Sequence, residues 1–423
     1  MKHTKTILDN GVRVITVPME GNPTVTVMVT VGTGSYHEEE GEFGLSHFLE
    51  HMCFKGTSKR PTSLSITTEL DGMGAIYNAF TSNEITGYYA KADSKHFDRI
   101  GDIVVDIYKN SIFPEAEIEK EKGVVLGEID MYSDEPQEKI SDALREFMYR
   151  GQVAARQILG TKDTVRSFTR ADILRYRDMQ YKAQNTLVTI AGGVSEDFML
   201  SFARSAFGDM SSGEARAEFK TVDREQSGPE TVFLEKDTDQ AHMILAWRTF
   251  DRSHKERFAA RIVNALLRGG MSSRLFIKLR DEMGSGYYIG SGHETYSTFG
   301  QFHISTGTTA ERAPEIATAI IGEVRRLQDE VVPQGELEKI KELIRSRVRM
   351  SLETSDGVAD FFAEQEMFED AVRSPEELDV VLSSVTAEDV IRVSKILFDP
   401  CRLTFAAIGK GIDREAVSKA IAA

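Results

Sequence analysis

Two pairs of segments in this chain match each other at nearly the same separation. Phe168–Arg175 aligns with Val385–Arg392 at 385 − 168 = 217 residues, and Pro114–Lys120 aligns with Pro333–Lys339 at 333 − 114 = 219. A period that long is a whole domain rather than a solenoid repeat, so the chain is expected to fold as two similar halves. With 423 residues, 41% of them hydrophobic, both halves can bury a core. The polar stretch Ser211–Pro229 is the natural joint. It sets the expected domains at 1–210 and 230–423, with 211–229 as linker.

Within the first half the periodicity changes from segment to segment. Pro23–Val31 alternates polar and apolar residues, as a half-buried strand does, and Gly32-Thr33-Gly34 ends it. Ser63–Leu70 reads as a helix stopped by Asp71-Gly72-Met73-Gly74. Ala75–Ala79 and Ile85–Ala92 read as strands around a Thr81-Ser82-Asn83 turn. Strands and helices mix without strict βαβ alternation, which makes the expected class α+β, each half an antiparallel or mixed sheet with helices packed on it.

Between those strands lies His47-Phe48-Leu49-Glu50-His51. On a helix, residues four apart share a face, so His47 and His51 can offer two imidazoles to one cation. Glu50 then sits close enough to reach a water on that cation without binding the metal. A pair of solvated histidines is the plainer reading of so short a string. Two imidazoles and a carboxylate among Leu, Phe and Met are costly to bury unless something binds them, which favours the metal.

A catalytic zinc takes three protein ligands and keeps one position open. Pro114–Ile129 reads as a helix with Pro in its first turn and carboxylates near its N-terminus. Glu121 and Glu128 lie two turns apart on one face of it, and the residues alone do not choose between them.

The segment His47–His51, followed by Phe54-Lys55-Gly56-Thr57, resembles the active-site helix of the pitrilysin and insulysin family of inverzincins. The likeness extends to the half-length branch that includes the mitochondrial processing peptidase. It is supported by Tyr77–Ser82 and by the Glu121-to-Glu128 spacing, in the right order. The resemblance implies zinc held by His47, His51 and Glu128, with Glu121 in support and Glu50 as general base. It also implies that Asn78 and Ala79 lie on a cleft-lining edge strand that binds peptide. In the second half, Ser272–Tyr288 is similar to the segment from which an Arg and a Tyr seven residues later reach the substrate, here Arg280 and Tyr287. Without the likeness these two would be an ordinary helix Arg and strand Tyr.

The second half carries no metal motif of its own. At the 219 offset Glu128 falls on Arg347, and Ala259–Leu267 contains no His. The resemblance therefore implies a zinc endopeptidase that closes two halves over a peptide or unfolded polypeptide. One metal motif and one Arg/Tyr pair per chain point to a homodimer, or a heterodimer with a homologous subunit, completing the sites. The other class open to this fold is a non-catalytic assembly subunit, in which the ligand set is typically lost. Two departures from relatives stand out. Gly151–Gln157 replaces a run containing His-Pro, which is expected to affect local loop shape only, and His293–Gly300 is not the Gly-rich loop of a presequence-processing partner.

A net charge of −16 argues against nucleic acid and anionic membrane as partners. No apolar run approaches a membrane span, and Met1–Val14 has no basic-then-apolar leader. Cys53 and Cys401 are the only cysteines, so a reducing, cytoplasmic setting is expected.

Overall fold

The computed structural model describes residues 1–216, 221–369 and 371–422. Residues 217–220 of the expected linker lie outside the described residues; those on either side, 211–216 and 221–229, form neither helix nor strand.

The first sheet contains β1 (Thr4–Ile7), β2 (Arg13–Pro18), β3 (Thr24–Val31), β4 (Ile76–Thr81), β5 (Thr86–Asp93) and β6 (Thr186–Gly192). Its order is β1-β2-β6-β3-β5-β4, and only β2 and β6 run parallel. The second contains β7 (Glu230–Leu234), β8 (Ala241–Thr249), β9 (Ile289–Thr295), β10 (Gly300–Thr308) and β11 (Leu403–Ile408), in the order β7-β11-β8-β10-β9. Here again one pair alone is parallel, β7 with β11. Strand for strand, β2-β6-β3-β5-β4 repeats as β7-β11-β8-β10-β9, and β6 and β11 begin 403 − 186 = 217 residues apart. The class is α+β with an internal duplication, as expected.

The chain divides into two compact units that are not its two sequence halves. One comprises Met1–Met131, Arg156–Phe219 and Arg349–Ser374; the other comprises Tyr132–Ala155, Lys220–Val348 and Pro375–Ala423. The cut at the linker is common to both divisions, but each half also lends a helix to the other unit. Pro136–Met148 buries Ile140, Leu144 and Met148 and packs on β8 and β11. Ser355–Phe368 packs on β3 and β6 of the first sheet.

That second helix accounts for a difference at β3. The Thr/Val alternation predicts one buried and one wet face, yet both faces are closed. Val25, Val27, Val29 and Val31 join the core, while Thr26 and Thr30 are also buried. On the threonine side, the Ser355 hydroxyl lies 3.0 Å from that of Thr24 and 2.8 Å from that of Thr26, and Lys91 pairs with Asp356 at 2.7 Å. The small hydroxyls let a helix sit flat against the sheet with their polar atoms satisfied.

Candidate metal centre

The helix Leu45–Cys53 is held by its apolar stripe: Leu45, Phe48, Leu49 and Met52 are buried at helical spacing in the core of the first unit. Cys53 is buried as well. The helix start is built with little slack. Gly44 adopts φ 93°, and a Cβ there would lie 2.4 Å from the Leu159 carbonyl oxygen. The Glu38 carboxylate accepts the backbone N–H groups of Gly44 (2.8 Å) and Ser46 (2.7 Å), which satisfies donors at the helix N-terminus. Arg156 donates to the Tyr36 and Glu38 carbonyls. The unusual run before Ile158 therefore does more than alter loop shape, because its arginine braces the segment that caps the metal helix.

The helix Glu115–Asp134 brings the third donor. Ile118, Glu121 and Val125 form its buried stripe, and Glu128 continues that line one turn on. His47, His51 and Glu128 place one donor atom each within 4.8 Å of one another. Glu128 Oε2 is 3.8 Å from His47 Nε2 and 3.9 Å from His51 Nε2. These gaps are too long for hydrogen bonds. They lie near the ~3.4 Å that separates neighbouring ligands of a tetrahedral zinc with bonds of ~2.1 Å. Two imidazoles and a carboxylate are also the donor types zinc takes, so the residues present fit the metal.

The surroundings prepare those donors. His51 Nδ1 donates to Glu121 Oε1 at 2.8 Å, which leaves its Nε2 lone pair directed at the cluster. Lys55 Nζ pairs with the other Glu121 oxygen at 2.6 Å. Burial opposes charge on Glu121, but its bonds to His51 and Lys55 win and hold it below the usual carboxylate range. Burial, reinforced by the nearby His51, lowers His47 to about 3, so it stays a neutral ligand. Its Nδ1 is buried with no hydrogen-bond partner among the described residues. For His51, burial disfavours the charge, yet the bond to Glu121 and the charges of Glu50, Glu121 and Glu128 raise it above the usual imidazole value. The cluster thus attracts positive charge.

Glu50 stands beside the ligands and is not one of them. Burial raises its carboxyl above the usual range, against the Thr81 hydroxyl that donates to Oε2 at 2.6 Å. Thr81 comes from β4, which lies against the metal helix and is the edge of the sheet, pairing with β5 alone. Asn78 and Ala79 lie on that edge, opposite Tyr89 and Tyr88.

Sequence reasoning missed Thr81 and Lys55. Lys55 had a signal, lying one helical turn after His51. Thr81 had none, since its partner is brought by packing between a strand and a helix.

Arg280 and Tyr287 belong to the second unit and come together there around one cleft. Arg280 lies in a wide helical turn, Ile277–Glu282, closed by an i→i+5 bond from Met283 N–H to the Lys278 carbonyl at 3.2 Å. Tyr287 precedes β9 rather than lying in it, and is 61% exposed.

Comparison with known proteins places this arrangement. Residues 13–162 match the family model described as Insulinase (Peptidase family M16), and residues 167–344 match the Peptidase M16 inactive domain. An uncharacterised zinc protease of Bacillus subtilis is 33% identical over 392 residues, 92% of this chain and 94% of the relative. The chain belongs to the insulinase family, Peptidase family M16. The beta subunit of the mouse mitochondrial-processing peptidase is 30% identical over 398 residues, covering 92% of this chain and 80% of that one. A protease from Helicobacter pylori shares the fold at a TM-score of 0.90 and 23% identity, over 96% of this chain and 99% of the other. Membership of this zinc-protease family makes the chain a peptidase and zinc its metal. The match to the inactive domain agrees with the lack of His at the corresponding helix, Arg257–Arg268, of the second half.

Proposed function

We propose that the chain is a zinc-dependent endopeptidase that hydrolyses peptides or unfolded polypeptides inside a closed chamber, with Glu50 as its general base. The observation that carries this reading is the half-buried Glu50 carboxylate, with raised proton affinity, set beside three convergent donors yet not among them.

Zinc bound by His47, His51 and Glu128 supplies Lewis acidity toward the scissile carbonyl and acidifies water. The Glu50 carboxylate takes the proton from the attacking water and passes it to the leaving amine. Thr81 aims that carboxylate, while Glu121 and Lys55 hold the His51 ring in its ligating tautomer. An extended substrate adds to the free edge of β4 at Asn78 and Ala79, which reads backbone more than side chains. Arg280 offers its guanidinium to a peptide carbonyl, and the Tyr287 hydroxyl donates to the developing oxyanion. Two copies of the chain form the working enzyme.

Glu50→Gln separates chemistry from metal binding. It should retain roughly one zinc per site while kcat falls at least ~10²-fold, because the base goes and the ligands stay. His47→Ala, His51→Ala and Glu128→Ala should lose the metal. Full peptidase activity in Glu50→Gln would refute the assignment.

A further inference from the structure

The cleft that holds Arg280 and Tyr287 carries a charge opposite to that of the chain as a whole. It encloses about 450 Å³, and its walls include Arg268, Arg280 and Arg347 together with Phe276, Tyr287 and Tyr288. Among the described residues, no carboxylate lines it. Among the described residues, none of the three arginines forms an ion pair with Asp or Glu, although acidic residues outnumber basic ones 67 to 51.

Each guanidinium is instead held by a carbonyl. Arg268 Nε donates to the Ile289 oxygen at 2.9 Å, Arg280 Nη1 donates to that of Gly286 at 3.2 Å, and Arg347 Nη2 donates to that of Gly269. These bonds orient the three groups without neutralising them, and several N–H donors on each are left over. Three like charges held around one cleft repel each other until an anion joins them. Arg347 also stands 219 residues after Glu128, so the position that supplies a carboxylate to the metal in the first half supplies a guanidinium here.

Guanidinium groups take carboxylate and phosphate alike. A lone phosphate would leave unused the aromatic wall and the adjoining β9, which is one edge of the second sheet. An extended peptide uses both. We infer that this cleft is an anion subsite for the substrate, selecting peptides that carry a carboxylate, either on an Asp or Glu side chain or at a free C-terminus. The inference rests on the peptidase reading, and in particular on Arg280 and Tyr287 touching substrate.

The test uses internally quenched peptides of one sequence in four forms. One is neutral and amidated, one is amidated with a single Glu scanned through the positions, one has Lys scanned in its place, and one is neutral with a free C-terminus. Wild type should show a KM about 5–10-fold lower for a carboxylate-bearing peptide than for the neutral one, with kcat little changed. The form that gains identifies the side chain or the terminus as the source. Arg268→Gln and Arg347→Gln should each erase most of that preference, Arg347→Lys should keep part of it, and added salt should weaken it. Thermal unfolding of each variant confirms that it is folded. Anisotropy measurements of the same peptides on the Glu50→Gln protein give the ranking without turnover. Equal KM for all four forms, or variants that change all four alike, would overturn the subsite and leave the peptidase standing. If wild type cuts none of them, the endopeptidase reading falls, and equal anisotropy affinities would then remove the cleft as well.

Discussion

His37 is a buried imidazole and His293 a half-buried one, both outside the ligand set. Burial lowers each to about 4; the Arg156 and Arg216 guanidiniums add to the effect at His37, and His254 and His303 add to it at His293. The folded state keeps them neutral, whereas the unfolded chain binds a proton near 6.5. Their contribution is therefore complete above about pH 6.5 and is lost as pH falls toward 4, at up to ~3 kcal/mol each. Buried Glu38, raised to about 8, gains stability as pH falls through the same window, so the histidine share is read as a difference: the zinc-free wild type should lose more of its denaturant midpoint between pH 7 and 4.5 than His37→Asn does. Equal midpoint changes in the two proteins over that range would contradict this. Residues of this kind are hard to read from sequence because a histidine shows its chemistry only where its partners are local. His47 and His51 were legible because one helix carries both. Glu128 was not distinguishable from Glu121 by periodicity, since the choice depends on how a distant helix docks; there the family likeness supplied what spacing lacked.

Helices and strands here were easier to place than their partners. The segments around β3, β4, β5 and the two helices of the metal centre follow from period and punctuation, because those signals are local. What each element packs against is a long-range matter, and the brace between Arg156 and the Glu38 segment had no trace in spacing. The start of the metal helix concentrates this dependence. Gly44→Ala would force a side chain into a left-handed backbone and against the Leu159 carbonyl. It should cost on the order of 2 kcal/mol or more and displace the histidines, so chelator competition should show weaker zinc binding alongside the lower denaturant midpoint. Unchanged zinc affinity in that variant would show that the helix start does not position the ligands.

For the whole molecule, the duplication was legible and the exchange of helices was not. An amphipathic pattern says that a helix has a buried face, but it does not say which sheet receives it. The proposed division of labour between copies can be tested by mixing. Glu50→Gln and Tyr287→Phe, each impaired alone, are combined under conditions that let subunits exchange. If sites are completed in trans, one site of the heterodimer joins an intact Glu50 to the partner copy's intact tyrosine, so activity should recover; completion in cis gives no recovery. A monomer in sedimentation would likewise rule out the trans arrangement.

The helix Ser355–Phe368 also sets a schedule for synthesis. The first sheet is finished when Gly192 leaves the ribosome, yet the threonine face of β3 stays uncovered until residue 368 follows. At ~5–20 residues per second the intervening 368 − 192 = 176 residues take roughly 10–35 s. Through that interval the nascent first unit shows a nearly complete sheet with one bare side. A chaperone that holds the chain, rather than one that hastens folding, is what such a wait calls for.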